Sequence, residues 1–382
     1  MKKHFNKLKS CLAIAALSTL PFSSAFATLA QADGSSVIPM ILAGGAGAVD
    51  GAPILPAGTF TGVVSIFINT DAGGFTCTGS VISKRHIITA GHCVEDATDT
   101  GVVIDISSPD FSVSTVFNDG GVINDIIDAK SVDIHPDYDG FANCGAGDVA
   151  GFVGVCLNDD IAIITLSEDI PAGVEIYEFS EQAMDGQLLI MVGHGVSGNG
   201  ITGGGIDASF FDKRIGFNVA EFFDCDDGTT TSPSSGGYSN SGACEFFEDN
   251  DPEVWYADFD GPDANGDFQN SYCTFYGLGC DEIWLGETFS QPYDFTTIFE
   301  GNIAPGDSGG PSFVYNAITG KFELIANNTF ALFGSTYGAE LGGNIYAGYK
   351  GFIAQFVSAP AGLGIMLVAF GALGLRRRKI AA

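Results

Sequence analysis

Gly306-Asp307-Ser308-Gly309-Gly310-Pro311 sets one hydroxyl, Ser308, in a turn crowded with glycine. Such a turn admits backbone conformations closed to other residues. A serine hydroxyl at its free pKa is a weak nucleophile and needs a base within hydrogen-bond reach. Far upstream, Thr89-Ala90-Gly91-His92-Cys93 offers that base in His92. Between the two, Asp159-Asp160-Ile161-Ala162-Ile163-Ile164 opens a buried-looking strand with an acidic residue, the type of group that holds an imidazole in one tautomer. Nucleophile, base and orienting carboxylate therefore occur in the chain order histidine, aspartate, serine.

That order, with each member inside its own motif, resembles the trypsin/chymotrypsin family of serine proteases and differs from the subtilisin and α/β-hydrolase orders. The resemblance spans roughly residues 58 to 356. It implies an all-β fold of two β-barrels, at about residues 58–178 and 183–356, with the active site in the cleft between them. It also implies roles. His92 takes and returns the proton, Asp160 orients the imidazole, and Ser308 attacks. Asp160 is chosen over Asp159 because the family places the acid directly before Ile-Ala; Asp159 is expected to face solvent. The backbone N–H groups of Gly306 and Ser308 would form the oxyanion hole. In the resembled family a bridge equivalent to Cys77–Cys93 ties the histidine turn to the strand before it. Gly193-His194-Gly195 resembles the Gly-Trp-Gly that opens the second barrel, so His194 reads as structural. His86 reads as strand surface, and His135, in a loop before Pro136, has no partner that the sequence names.

The chain departs from the family at the specificity pocket. Asn302 stands six residues before Ser308, where trypsins carry the aspartate that selects basic side chains, and Glu300 is offset by two positions. Ala304 replaces a disulfide cysteine. Ile325-Ala326-Asn327-Asn328-Thr329 replaces the Ser-Trp-Gly edge that pairs with substrate. Activation in the family needs a new amino terminus, starting Ile or Val, that pairs with the aspartate beside the nucleophile, here Asp307. No Lys or Arg occurs between Lys9 and Lys84, so a non-basic cut near residues 40 to 49 is expected, exposing Ile41 or Val49.

The local pattern agrees with an all-β domain. Short β-branched and aromatic runs such as Gly62–Ile68, His86–Thr89 and Leu188–Val192 are separated by Gly, Asp and Asn, and no long run has a period of 3.6. The two ends read differently. Residues 1–27 carry Lys2, Lys3, Lys7 and Lys9, an apolar run and Ala25-Phe26-Ala27, the pattern of a secretory signal peptide cut by signal peptidase. Residues 28–57 form a propeptide or N-terminal segment. At residues 357–382, Ser358-Ala359-Pro360 precedes an apolar run from Ala361 to Leu375 and then Arg376-Arg377-Arg378-Lys379. This layout resembles the PEP-CTERM class of bacterial sorting signals, with Ser-Ala-Pro where that class shows Pro-Glu-Pro. A C-terminal sorting protease and membrane contact only through this tail are implied, the alternative being a plain tail anchor. The expected location is secreted or at the cell surface of a bacterium.

Without those ends, seven basic residues face 46 acidic ones, a formal charge of −39. Such a surface repels nucleic acid and anionic membranes. Eight of the nine cysteines lie beyond the signal peptide, an even number that suits disulfides in an exported chain. Beyond Cys77–Cys93, Cys144 with Cys156 would close a Gly-rich loop and Cys225 with Cys244 a polar insertion, leaving Cys273 and Cys280, but the sequence leaves the pairing of these six open. Asp258, Asp260, Asp263, Asn265 and Asp267 alternate with Gly261 and Gly266, hard oxygens that suit a structural calcium ion, although Pro262 breaks the EF-hand register. A solvated acidic loop is the plainer account. The chemistry itself asks for no cofactor. The expected activity is that of a serine endopeptidase acting on protein or peptide substrates through an acyl-enzyme. The alternatives are a binding or matrix protein on a protease fold, and a serine esterase.

Overall fold

The computed structural model describes residues 40–43, 55–70, 73–96, 100–144, 155–184, 186–206, 212–225, 252–262, 265, 267–272, 274, 300–332 and 334–357. Strand β1 (Met40–Ala43) precedes six strands of the first half: β2 (Val63–Thr70), β3 (Gly73–Val81), β4 (His86–Thr89), β5 (Ser112–Asp119), β6 (Val122–Ile134) and β7 (Ala162–Leu166). These six close into a barrel in the order β2-β3-β4-β7-β6-β5. Closure removes the exposed strand edges of an open sheet. The inside holds Val64, Ile66, Val81, Ile87, Ile127 and Ile164 among others, all buried.

The second half continues with β8 (Leu188–Gly193), β9 (Ser197–Asn199), β10 (Gly203–Ile206), β11 (Arg214–Val219), β12 (Phe222–Cys225), β13 (Pro252–Asp258), β14 (Gly261–Pro262) and β15 (Phe268–Gln269). It ends with β16 (Gly301–Ala304), β17 (Pro311–Asn316), β18 (Lys321–Asn327), β19 (Phe330–Leu332), β20 (Glu340–Asn344) and a single helical turn, α1 (Lys350–Ile353). The chain is thus all-β but for short turns of helix. Here the described strands form three four-stranded sheets, β10-β9-β1-β16, β11-β8-β17-β18 and β12-β13-β20-β19, and a two-stranded one, β14-β15. Single bridges at Phe217–Glu300 and Ala326–Ile345 stitch one sheet to the next.

Strand β1 comes from the N-terminal segment and lies antiparallel on β16, with Ile41 opposite Ile303 and Leu42 opposite Asn302. A little further on, the chain is pinned where it enters the first barrel. Leu55 N–H donates to the Lys213 carbonyl at 2.8 Å, and Lys213 Nζ donates to the Phe60 carbonyl at 2.7 Å. Phe60 has φ +46°, a conformation unfavourable for a side chain with a Cβ, and the buried ammonium helps hold it there. Burial pushes that amine down to about 8, against the pull of Asp119 and Glu175. Between the two halves, Tyr177 N–H reaches Val81 and Ser180 N–H reaches Leu324, so the connecting segment is bonded to both. Phe60, Tyr177, Ile190, Phe313 and Tyr349 fill the core under this seam. No helix among the described residues is long and apolar enough to cross a membrane, and the C-terminal tail from residue 358 onwards lies outside them, as does the signal peptide.

Candidate active site

Strands β4 and β7 pair antiparallel with Thr89 opposite Ala162, so the chain after β4 and the chain before β7 leave the barrel at the same end. That register brings His92 to Asp160. The Asp160 carboxylate is 1 % exposed; one oxygen accepts the His92 backbone N–H at 2.8 Å and the other meets Nδ1 of the ring at 2.7 Å. Two bonds from one carboxylate fix both the turn and the ring orientation, leaving Nε2 as the outward nitrogen. The Phe141 ring packs on the imidazole at a centroid distance of 4.9 Å. Asn327, from β18 in the second half, donates from Nδ2 to the Asp160 carbonyl at 3.0 Å and accepts the Asn344 N–H at 2.8 Å.

Cys77 and Cys93 form the expected disulfide, and Cys144–Cys156 a second one; Cys244, Cys273 and Cys280 lie outside the described residues, so their pairings do too. Cys93 Sγ lies 3.9 Å from His92 Nε2 and 3.5 Å from the Ser308 carbonyl, so one sulfur touches both the imidazole and the serine's main chain. Thr78, on β3, holds that serine turn to the first barrel. Its N–H donates to the Ser308 carbonyl at 2.9 Å and its hydroxyl to the Gly306 carbonyl at 2.7 Å. Ser308 is 2 % exposed.

The turn around Ser308 is shaped by glycine. Gly306 has φ +99° and Gly309 φ +77°, both in the left-handed region. A Cβ on Gly309 would meet Thr89 Oγ1 at 2.0 Å and the Ala90 nitrogen at 2.6 Å, so the histidine strand and the serine turn touch there without room for a methyl group. Among the described residues, the N–H groups of Gly306 and Ser308 donate to no protein acceptor, whereas those of Asp307, Gly309 and Gly310 are all bonded within the turn or to Asn328. Two unspent donors beside a serine are the raw material of an oxyanion site.

Asp307 points inward and is fully buried. Its oxygens accept the N–H groups of Gly195 and Ala304, each at 2.8 Å. Burial pushes its carboxyl well up, opposed by the Gly195 hydrogen bond and by the charge of Arg214. Strand β1 begins with Met40 opposite Ala304, one of the two residues that Asp307 grips. Asn302 is fully buried on β16; its side-chain oxygen accepts the Ile303 N–H at 2.8 Å, while its Nδ2 has no partner among the described residues. Glu300 lies at the start of the same strand and accepts the Asp260 N–H at 2.6 Å.

His194 is fully buried, and burial, reinforced by the charge of Lys213, pushes its imidazole down to about 3, so it stays neutral. His86 hooks to the Ser83 hydroxyl at 2.7 Å; burial lowers its pKa, with Asp133 opposing. One expectation needs correction: Asp159 is 4 % exposed and does not face solvent. His135 Nδ1 lies 2.9 Å from Asp159 Oδ1. Asp159 takes φ +62° and donates its N–H to the Tyr349 hydroxyl at 2.8 Å, which turns its side chain back into the protein. In the acidic loop, Asp258 and Asp260 are buried while Asn265 and Asp267 are exposed, and Asp263 lies outside the described residues. Asn327 and Asn328 escaped the sequence reading of the site. Their only signal was two adjacent amides in an otherwise apolar strand.

Residues 55–207 match the family model named Trypsin. That stretch includes His92 and Asp160 and stops well short of Ser308. A stretch of 101 residues is 34 % identical to the venom serine protease Bi-VSP of Bombus ignitus, covering 26 % of this chain and 22 % of that protein. Among solved structures, HL collagenase aligns over 81 % of this chain and 98 % of its own, at 16 % identity and a TM-score of 0.45. A thermostable serine protease, AL20, from an extremophilic microorganism aligns over 76 % and 94 %, at 12 % identity and 0.41.

Proposed function

We propose that this protein is an exported serine endopeptidase that hydrolyses peptide bonds through an acyl-enzyme. The observation that carries the reading is the doubly hydrogen-bonded Asp160–His92 pair, set beside a serine turn with two unspent N–H donors. Ser308 Oγ attacks the substrate carbonyl while His92 Nε2 takes its proton and then gives it to the leaving amine. Asp160 keeps the imidazole in the tautomer that leaves Nε2 free to accept, and steadies the imidazolium. The N–H groups of Gly306 and Ser308 receive the oxyanion; losing one such donor typically costs ~10²–10³ in turnover. Water then repeats the sequence on the ester. Asn302 lines the specificity pocket with an amide in place of a charge.

The pairing of β1 with β16 supports maturation by a non-basic cut next to Ile41, which would leave the new terminus beside the residues that Asp307 holds. Two disulfides, the signal peptide and the overall acidity support export. The tail supports delivery to a bacterial surface through a sorting protease.

The test compares the secreted protein with its Ser308→Ala twin, using a fluorophosphonate probe and labelled casein. Labelling with casein cleavage, both lost in the twin, is the expected result. Labelling without cleavage of casein, but with turnover of short esters, would favour an esterase. No labelling, even with the amino terminus moved to Ile41 or Val49, would overturn the reading in favour of a binding protein. Amino-terminal sequencing of active enzyme checks the cut; a start at Thr28 would sink it.

A further inference from the structure

Glu340 opens β20 and is fully buried, yet among the described residues neither of its carboxylate oxygens has a hydrogen-bond partner. It stands directly opposite Asp258 across the β13–β20 ladder, so the two side chains leave the same face of the sheet. The same face carries Phe222, Val254, Tyr256, Phe330 and Leu332 with Tyr272, and, opposite Val254 and away from Glu340, Asp224 and Asn344. Tyr272 donates its N–H to Asp258 Oδ2 at 3.2 Å. Burial, then the charges of Glu340, Glu221 and Asp258, push its hydroxyl well up. Glu221 accepts the Asp258 N–H at 3.1 Å.

An unpaired carboxylate such as that of Glu340 is costly to bury and is normally met by a positive group. No Lys, Arg or His occurs between Arg214 and Lys321, the span that holds Asp258, or between Lys321 and Lys350, the span that holds Glu340. Two remedies are left, a proton or a bound cation. Burial, and then the charge of Asp258, push Glu340 up to about 8, which favours the proton in the absence of anything else. A proton would serve only one oxygen of Glu340, however, whereas a cation can take both, and neither oxygen has a donor among the described residues. Oxygens around one Ca²⁺, each at ~2.3–2.6 Å from it, stand roughly 3–5 Å apart, largely beyond hydrogen-bond reach of one another.

We propose that Glu340 and Asp258, paired across β13 and β20, form a buried site for a divalent hard cation of the calcium type. Only Asp258 is drawn from the acidic loop; the second carboxylate comes from the facing strand. The ion would pin β13 to β20 at the end where the chain leaves β13 for the loop, and so act on stability.

The test uses the full chain carrying Ser308→Ala, to prevent self-digestion, stripped with EDTA and titrated with CaCl₂. Melting is followed by circular dichroism, and terbium luminescence is excited through tyrosine. Saturating Ca²⁺ is expected to raise the melting temperature by roughly 5–10 °C. Terbium emission sensitised by Tyr256 and Tyr272 should appear and be displaced by Ca²⁺. Glu340→Gln should abolish both signals while melting in EDTA no lower than the parent. Asp258→Asn should weaken Ca²⁺ binding at least tenfold, and it decides alone if Glu340→Gln does not fold. No Ca²⁺-dependent rise in the parent would overturn the proposal. So would a rise and emission of equal size in the variants, which would assign the effect to the acidic surface.

Discussion

Without a divalent cation, Glu340 should make the stability of this protein fall as the pH rises. Burial and the facing Asp258 lift its carboxyl from an ordinary 4.5 to about 8. A group whose folded pKa is raised gives its full stabilising contribution below the unfolded pKa, and loses it as the pH climbs through the folded one. The window is therefore about pH 4.5 to 8. At 1.36 kcal/mol per pKa unit the loss across it is about 5 kcal/mol, comparable with the whole stability of many domains. The titratable group facing Glu340 across the ladder is Asp258; the Tyr272 hydroxyl, pushed well up by burial and the charges around it, stays protonated throughout. Other carboxylates of so acidic a chain titrate too, so the informative quantity is the difference from Glu340→Gln, which keeps the shape and cannot ionise. Guanidinium midpoints would be measured in EDTA from pH 4 to 8.5, both proteins carrying Ser308→Ala. The difference should move by several kcal/mol in favour of the glutamine variant as the pH rises. A difference constant to within about 1 kcal/mol over that window would refute the reasoning, because a carboxyl that stays ionised at no cost is not buried as described. Saturating Ca²⁺ should reverse the sign at pH 8.

Asp160→Asn should lower kcat by about 10⁴, because the amide disfavours the tautomer that leaves Nε2 free, while the folded structure persists; a loss under tenfold on a peptide ester would argue against the pair. Gly309→Ala should cost about 3 kcal/mol or more and abolish fluorophosphonate labelling, since its Cβ would lie 2.0 Å from Thr89 Oγ1 at a φ of +77°. Near-normal melting and labelling of that variant would show that the two turns are not packed as closely as described. Replacing Cys77 and Cys93 together by alanine opens a loop of sequence separation 16 and should cost about 3 kcal/mol, read as a lower denaturant midpoint with an unchanged slope.

What the sequence made legible is the part of the protein where chemistry dictates residue type. The proposed nucleophile, base and acid, Ser308, His92 and Asp160, each stand in a short local motif, and the glycines at 306 and 309 take positive φ, so these positions can be read locally. The even cysteine count and the alternation of short apolar runs are local in the same sense, and they sufficed for disulfides and an all-β class. The rest depends on register between strands far apart in the chain, which leaves no local mark. Glu340 reads as one more acid among 46 until β20 is laid against β13 and its neighbour proves to be Asp258. Asp159 looks like a solvated twin of Asp160, but its reversed φ and the Tyr349 hydroxyl, contributed from just before α1, turn it toward His135. Strand β1 is the extreme case. Four residues from a stretch that reads as a propeptide or N-terminal segment are threaded between β9 and β16, with Leu42 opposite Asn302. The same physical cause underlies all three. Polar groups that looked solvated are buried because a distant strand covers them, and their cost is met only by partners that the fold, and not the neighbouring sequence, supplies.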